Sequence, residues 1–256
     1  MTRPALSVAT LAILALTTTT AAAQDGDEQK LSIAIGPGIA LSPRYPGADD
    51  LRVLPIPALD LRYGHIFFGS GGLGVNLVQD KAAGLTAGVS VFFRGDRDES
   101  DDPVRLRGLG DIGTAVQGRI FASKQLGSVT ARAVLAHDFG GSGGTTLDLG
   151  ATLNHPLGQS VFLFGGPSLG IASAKFNQAF FGISDEQVLR GNRAPYDLDA
   201  GVYQVGASLG VRWIVDRRWS ATAIGSADYL LGDAGDSPVI ATRWQPGAAL
   251  FVAYRF

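Results

Sequence analysis

Three features of the sequence predict an all-β transmembrane protein, an antiparallel up-and-down β-barrel of about twelve strands in a bacterial outer membrane. Apolar residues alternate with small or polar residues along most of the chain. The predicted connections between strands fall into short turns on one side and mostly longer loops on the other. The chain stops on an aromatic residue, Phe256. Each feature is typical of barrels that cross outer membranes.

Residues 1–23 are predicted to be a cleaved export signal. Arg3 gives the segment a positive start, an apolar run extends from Ala5 to Leu16, and alanines fill 21–23 before Gln24. The apolar run is shorter than the roughly 20 residues that a spanning helix needs. Small residues before Gln24 provide a cleavage site. We therefore expect residues 24–256 to form a single barrel domain.

Composition excludes several classes of function. The chain has 256 residues and a formal net charge of −2, and loss of Arg3 with the signal makes it −3. A nucleic-acid-binding protein would need a strongly basic face. Cysteine is absent, so a thiolate metal site and a cysteine nucleophile are excluded. We expect no cofactor. The acidic stretch 96–102 does not have EF-hand spacing and is expected to be a solvated loop rather than a Ca²⁺ site.

The apolar pattern has the period of two that defines a strand. In 202–216, for example, Val205, Leu209 and Trp213 share one face, while Ser208 and Arg212 share the other. The predicted strands cover 31–42, 51–62, 65–70, 72–79, 84–94, 109–122, 127–139, 145–155, 159–176, 200–215, 218–231 and 247–256. Tyr203 and Trp213 bracket one apolar face, and Trp219 and Tyr229 bracket the next, as in the aromatic girdles of membrane barrels.

The lengths of the connections predict an orientation. The even-numbered connections are short, at 63–64, 80–83, 123–126, 156–158 and 216–217. The long connections are odd-numbered, at 43–50, 95–108, 177–199 and 232–246, although Gly71 and 140–144 are also short. Short turns lie on the periplasmic side of outer-membrane barrels, so both termini are expected there.

The final strand carries a candidate assembly signal. Every second residue of this strand contributes to one apolar face, which consists of Leu250, Val252, Tyr254 and Phe256. A terminal aromatic residue after such a face resembles the signal by which outer-membrane proteins engage the barrel-assembly machinery. We therefore expect that machinery to be a partner of the nascent chain.

Several short motifs, in order along nearly all of the mature chain, resemble those of the MltA-interacting protein (MipA)/OmpV family of outer-membrane proteins. The motifs occupy 45–47, 94–98, 100–103, 106–112, 180–184 and 231–239. The resemblance implies a non-enzymatic barrel. It also implies a scaffold linked to murein remodelling, with a lytic transglycosylase and a murein synthase as partners.

Charged residues on the inward face are the main candidates for a functional site. Strand parity places nine candidate charges in the lumen: Arg94, Asp111, Arg119, Arg132, Asp138, Asp148, Arg212, Asp228 and Arg255. We favour an interior filled by ion pairs. The alternative is a small passive pore for ions or small solutes, because many other inward residues are Gly, Ala or Ser.

A barrel hydrolase is the least favoured function. His137 stands beside Asp138 and near Ser142, but adjacent strand residues point to opposite faces, so Asp138 is poorly placed to orient His137. We therefore assign no catalytic residue. Lipid and lipopolysaccharide are the expected surroundings, and Arg190 and Arg193 are candidates for contact with lipopolysaccharide phosphates.

Overall fold

The computed structural model describes residues 31–191 and 193–256. The predicted export signal, residues 1–23, and the segment 24–30 lie outside the described residues. In the described part of the chain, no helix is both long and apolar enough to cross a membrane.

The described residues form twelve antiparallel strands that close into a barrel, and β12 pairs with β1 to complete it. This confirms the predicted fold class and strand number. The strands are β1 Ser32–Pro43, β2 Leu51–Tyr63, β3 Ile66–Gly69, β4 Gly72–Asp80, β5 Leu85–Arg94, β6 Ala115–Leu126, β7 Val129–Phe139, β8 Thr145–Pro156, β9 Val161–Ala172, β10 Gly201–Ile214, β11 Trp219–Leu230 and β12 Trp244–Arg255. Three short helices lie between strands, α1 Ala174–Phe181, α2 Asp185–Gly191 and α3 Gly232–Asp236, with a 3-10 turn at Glu99–Asp101.

The two ends of the barrel differ. We call one the turn end, because the strands are joined there by short turns at 64–65, 81–84, 127–128, 157–160 and 215–218. We call the other the capped end, where the long connections 44–50, 95–114, 173–200 and 231–243 lie. The helices are in the last two of these connections, and the 3-10 turn is in 95–114.

Three predicted boundaries were wrong. The strand expected from 109 begins at Ala115, because Leu109 and Ile112 are buried in loop clusters and not in the barrel wall. That strand continues to Leu126, so the turn expected at 123–126 lies at 127–128. The strand expected to reach 176 ends at Ala172.

The outward face carries the large apolar side chains. Leu209 on β10 is 64% exposed and Ile120 on β6 is 61% exposed, whereas Gln117 on the inward face of β6 is fully buried. A soluble protein would bury such side chains, but a lipid bilayer removes them from water without a protein partner. The predicted polarity of the wall, apolar outside and small or polar inside, therefore holds in the structure.

Tyr203 does not belong to the outward aromatic girdle. The register of β9 and β10 shifts between Val202 and Gln204, which marks a bulge. A bulge changes the direction of the side chain that it contains. Tyr203 consequently points inward, where it is 8% exposed and packs against Phe176 and Phe181.

Aromatic rings occupy the space beside some glycines on the inward face. A Cβ at Gly210 would collide with the Phe164 ring, and a Cβ at Gly88 would lie 2.8 Å from the Phe121 ring. Aromatic rings thus lie against the glycines of neighbouring strands, where no other residue would fit. Much of the interior volume that small residues suggest is filled in this way.

Candidate functional site

The capped end is closed by loops that form hydrophobic clusters of their own. One cluster contains the buried side chains of Phe176, Phe180, Phe181, Tyr203 and Leu230 among others. A second cluster joins four connections, through Tyr45, Leu106, Leu109, Ile183 and Val239. Leu106, Phe181 and Val239 are fully buried. The capped end therefore behaves as a small folded unit set over the barrel mouth, here called the cap.

Helix α1 supplies the largest side chains of the cap. Ser173 precedes the helix and its hydroxyl accepts a hydrogen bond from Phe176 N at 3.4 Å, which satisfies one of the first N–H groups of the helix. Phe176 and Phe180 are one helical turn apart and their ring centroids are 4.8 Å apart. This spacing points both rings into the barrel mouth.

Arg97 joins the connection 95–114 to helix α1. Its side chain is 1% exposed, and its guanidinium donates to Phe180 O at 3.1 Å, Ala179 O at 3.3 Å and Gly110 O at 3.4 Å. Burial lowers the pKa of Arg97 to about 10, and nearby acidic groups oppose this. The side chain therefore remains charged at neutral pH and can bind all three carbonyl oxygens.

The acidic stretch 96–102 shapes its own loop. Glu99 accepts hydrogen bonds from Gly108 N at 2.8 Å and Gly110 N at 3.1 Å. Asp102 accepts from Val104 N at 3.0 Å and Arg105 N at 2.9 Å. These carboxylates stabilise turns, and the described residues contain no cluster of three or more potential metal-binding side chains.

Tyr45 ties the first connection to the acidic stretch. Its hydroxyl donates to Asp102 at 2.9 Å. Burial raises the pKa of Tyr45, and the hydrogen bond to Asp102 adds to the effect. Partial burial alone would raise the pKa of Asp102, but the hydrogen bonds from Arg105 and Tyr45 outweigh it and hold that pKa below its usual range.

Below the cap, Asp138 is the centre of a buried polar network. It accepts from Arg94 Nε at 3.2 Å, from Gln117 Nε2 at 2.7 Å and from Ser142 Oγ at 2.6 Å. Arg119 joins the network through Gln117 Oε1, at 2.6 and 3.1 Å. The network crosses β5, β6 and β7 and therefore links adjacent strands inside the barrel.

Aromatic rings complete the surroundings of these arginines. The guanidinium of Arg94 lies 4.8 Å from the centroid of Phe176 in α1, and that of Arg119 lies 3.8 Å from Phe92. A cation over an aromatic face is favourable, most of all where water is excluded. The Arg94 contact also connects the wall of the barrel to the cap.

The remaining candidate charges do not all join this network. Arg132 and Asp148 are inward on β7 and β8, and Arg212 donates to Thr222 Oγ1 at 3.4 Å. Asp228 lies opposite Gly206 on the inward face of β11, and Arg255 is exposed at the turn end. The assignment of Asp111 to the lumen was wrong. It lies in the connection 95–114, where its carboxylate accepts from Glu99 N at 2.7 Å.

Sequence reasoning missed Arg97, Gln117 and Ser142 as members of the buried networks. Gln117 and Ser142 are neutral, so a search for charges passed over them. Arg97 stands in a loop, where an arginine is normally solvated. The one available signal was the inward parity of Gln117 with Arg119.

His137 is separated from the network. Its Nδ1 lies 2.9 Å from Thr145 Oγ1, and its ring packs edge-on against Phe139 at 5.0 Å. Within the described residues, Asp138 makes its hydrogen bonds to Arg94, Gln117 and Ser142 and none to His137. The arrangement does not form a Ser–His–Asp relay.

The proposed assembly signal lies on the outward face of β12. Leu250 is 50% and Phe256 is 77% exposed. Tyr254 packs between Trp219, at 5.0 Å, and Phe256, at 4.9 Å. Phe256 N also donates to Ile33 O at 3.0 Å, so the end of the chain takes part in the closure of the barrel.

The family described as MltA-interacting protein MipA matches residues 35–256, which is most of the chain. The chain belongs to this family. With the closed barrel and its apolar outer face, membership of the MipA family makes the protein an outer-membrane β-barrel protein. A search of curated proteins finds no match.

The barrel is also similar to solved structures, at low sequence identity. Neisserial surface protein A is 10% identical with a TM-score of 0.29, covering 88% of this chain and 95% of that one. OmpT of Vibrio cholerae is 8% identical with a TM-score of 0.35, covering 91% and 99%. Ail, the attachment invasion locus protein of Yersinia pestis, is 11% identical with a TM-score of 0.26, covering 90% and 99%.

Proposed function

We propose that the protein is a closed, non-enzymatic scaffold barrel that binds a murein-remodelling enzyme at its turn end. The barrel-assembly machinery and outer-membrane lipid are its other expected partners. In this proposal the turns and both termini face the periplasm, as short turns do in bacterial barrels. The mature chain would start at Gln24, which the mass of the purified protein tests directly.

The charge of the turn end carries the proposal. Counting the five turns and the last three residues of each strand at this end, the described residues include seven cationic side chains and two carboxylates, Asp80 and Asp216. The cations are Arg62, Lys81, Lys124, Arg212, Arg217, Arg218 and Arg255. Asp60, one residue further along β2, pairs with Arg62, so six of the cations remain against the two carboxylates. A basic rim attracts a partner with an acidic surface and speeds its association.

The family description points to the kind of partner. It names an interaction with MltA, a lytic transglycosylase, and the resemblance further implies a murein synthase. The turns themselves are short, so the contact area falls below the roughly 1,000 Å² of a stable interface. We therefore expect weak, salt-sensitive binding that brings enzymes together without holding them permanently.

The cap and the Asp138 network argue against the alternative of a small pore. Fully buried side chains such as Leu106 and Val239 fill the mouth, and the network occupies the lumen beneath it. We expect the purified barrel to show no steady conductance in planar bilayers. Stable single-channel current steps from the wild-type protein would instead support the pore hypothesis.

Binding to a lytic transglycosylase of the MltA type tests the scaffold. We expect R217E/R218E to weaken binding by on the order of tenfold at low salt, because each exposed ion pair contributes at most about 1 kcal/mol. The matched control R107E/R190E changes the same charge at the capped end and should leave binding unchanged. Equal affinity of both variants and the wild type, or no binding at all, would overturn the proposal.

A further inference from the structure

The barrel wall has a gap on the side of the β3–β4 hairpin. Strand β3 is only four residues long, and its pairing with β2 covers Leu61 to Tyr63 alone. The pairing of β4 with β5 begins at Leu73 and Val91. Within the described residues, the part of β2 before Leu61 and the part of β5 after Val91 therefore have a strand partner on one edge only. Their free edges face each other across a gap near the capped end. We call this gap the notch.

Glycine fixes the height of the notch. The hairpin tip runs through Gly69, Gly71 and Gly72, and Gly72 has a φ of 90°, which favours glycine. A Cβ at Gly72 would collide with Val91 O, and one at Gly69 would lie 2.8 Å from Leu59 O. The tip therefore lies in close contact with β2 and β5, and no strand continues the wall between them beyond the tip.

The backbone of β2 presents unpaired groups to the notch. Phe256 N donates to Ile33 O, so odd-numbered residues of β1 bond to β12 and even-numbered ones to β2. Alternation along the antiparallel pair then directs the odd-numbered residues of β2 away from β1 and into the notch. Above Leu59, whose carbonyl lies beside Gly69 of the hairpin tip, these residues are Leu51, Val53, Pro55 and Pro57. Because proline has no N–H, the edge offers four carbonyl oxygens and only two donors.

This edge lies at membrane depth. Val53 is 58% exposed on one flank and Phe93 is 59% exposed on the other, and both point outward as lipid-facing residues do. Unpaired backbone groups are not tolerated against hydrocarbon and require a polar partner or water. The two prolines prevent another strand from closing the edge. A ligand that supplies hydrogen-bond donors at a lipid-facing position would satisfy it.

Two charged side chains stand at the top of the notch, one on each flank. Arg52 is the second residue of β2, and Asp96 follows the end of β5 by two residues. Arg52 Nε and Asp96 Oδ1 are buried, and neither has a hydrogen-bond partner among the described residues. Asp101 and Asp96 are both near enough to act electrostatically on Arg52. The apolar side chains of Leu54, Ile56 and Phe92 lie on the inward side below them.

We propose that the notch binds a phospholipid with a primary ammonium in its headgroup, of the phosphatidylethanolamine class. The phosphate lies against Arg52, and the ammonium lies against Asp96 and the carbonyl oxygens of β2. One acyl chain fills the gap above the hairpin tip. An ammonium has three donors and matches an edge with excess acceptors. A choline headgroup has no donors, and a glycerol headgroup offers neutral hydroxyl donors but no cation to pair with Asp96.

The proposed orientation would place the notch in the outer leaflet, so the ligand is a phospholipid that has reached that leaflet. The site does not depend on the scaffold proposal, because the turn end plays no part in it. Lipopolysaccharide, which shares the leaflet, is included below as a competitor.

Native mass spectrometry of the folded protein tests the site. The protein is released from mixtures of phosphatidylethanolamine, phosphatidylcholine, phosphatidylglycerol and lipopolysaccharide in equal amounts. We expect one retained phosphatidylethanolamine in excess of the other lipids. In R52Q/D96N the retained lipids should return to the proportions of the mixture.

The matched control is R62Q/D60N, which changes the same pair of residue types at the other end of β2, where Arg62 already bonds Asp60 at 2.8 Å. This control should keep the preference. Equal retention of all lipids by the wild type, a preference for lipopolysaccharide, or an unchanged preference in R52Q/D96N would overturn the proposal.

A second measurement does not require charge substitutions. A photoreactive residue at Val53, beside the notch, should crosslink to phosphatidylethanolamine more than one at Leu209, which is lipid-facing on a strand paired along both edges. Equal crosslinking at Val53 and Leu209 would overturn the site even if R52Q/D96N failed to fold.

Discussion

The capped end and the turn end are stabilised by contacts of different range. In the cap, Arg97 bonds to carbonyls 82 and 83 residues away, and Tyr45 bonds to Asp102 at a separation of 57. At the turn end, Asp216 accepts from Arg218 N at 2.7 Å and Trp219 N at 2.8 Å, two and three residues away. Disturbing one buried residue should therefore loosen the whole cap, whereas turn-end substitutions should act locally.

The largest effect is expected from Arg97→Ala. The substitution removes three hydrogen bonds from a charged donor to buried carbonyls and leaves a cavity, so the cap should lose at least about 3 kcal/mol. The barrel wall should survive, since the residue bonds only to loop and helix backbone. We expect rapid proteolysis within 95–114 and 173–200. The barrel should stay folded, so that it still migrates differently on a denaturing gel before and after boiling.

Arg97→Lys sharpens this test. Lysine keeps the charge but has one nitrogen, so it should bond fewer of the three carbonyls and show intermediate protection from protease. If the cap of Arg97→Ala resists protease as well as that of the wild type, the two hydrophobic clusters alone hold the loops in place.

The next largest effect concerns the network under the cap. Asp138→Ala removes the buried carboxylate that accepts from Arg94, Gln117 and Ser142 and should cost about 3–5 kcal/mol. Asp60→Ala at the turn end breaks a half-exposed pair with Arg62 and should cost at most about 1 kcal/mol. The midpoints of denaturant unfolding in detergent compare the two. Equal shifts would remove the distinction between the two ends.

The smallest effect is a pH dependence of the cap. In the folded protein the pKa of Asp102 lies below its ordinary value of about 3.9. The ionised carboxylate therefore stabilises the cap fully above about pH 3.9, and this stabilisation is lost as the pH falls through the lowered pKa. The pKa of Asp98 is raised by burial, which partly offsets this loss. We expect protease sensitivity of 95–114 to rise below about pH 4 and D102N to remove most of that change.

A hydrogen-exchange profile of 95–114 between pH 3 and 6 would serve as the measurement. An identical pH profile in D102N would assign the acid response to other carboxylates.

The strand count and the direction of most side chains followed from the sequence. Period-two alternation in β10 and β11 depends on each strand facing lipid on one side, which is a local property. The alternation failed at Tyr203, where one bulge residue reverses the face, and at Asp111, where the pattern ran on into a loop. Helix α1 was missed although Ser173 and the Phe176–Phe180 spacing are helix signals, because the preceding strand pattern continues into them.

Sequence alone determined the barrel, because each strand has its own alternating apolar pattern and the bilayer covers its apolar face. Tertiary structure decided what the barrel holds. Only the folded chain brings Arg97 to the carbonyls of α1, joins Arg94 to Asp138, and leaves Arg52 and Asp96 on opposite flanks of a short hairpin. Those contacts join residues far apart in sequence, and no local pattern encodes which distant group a buried side chain will meet.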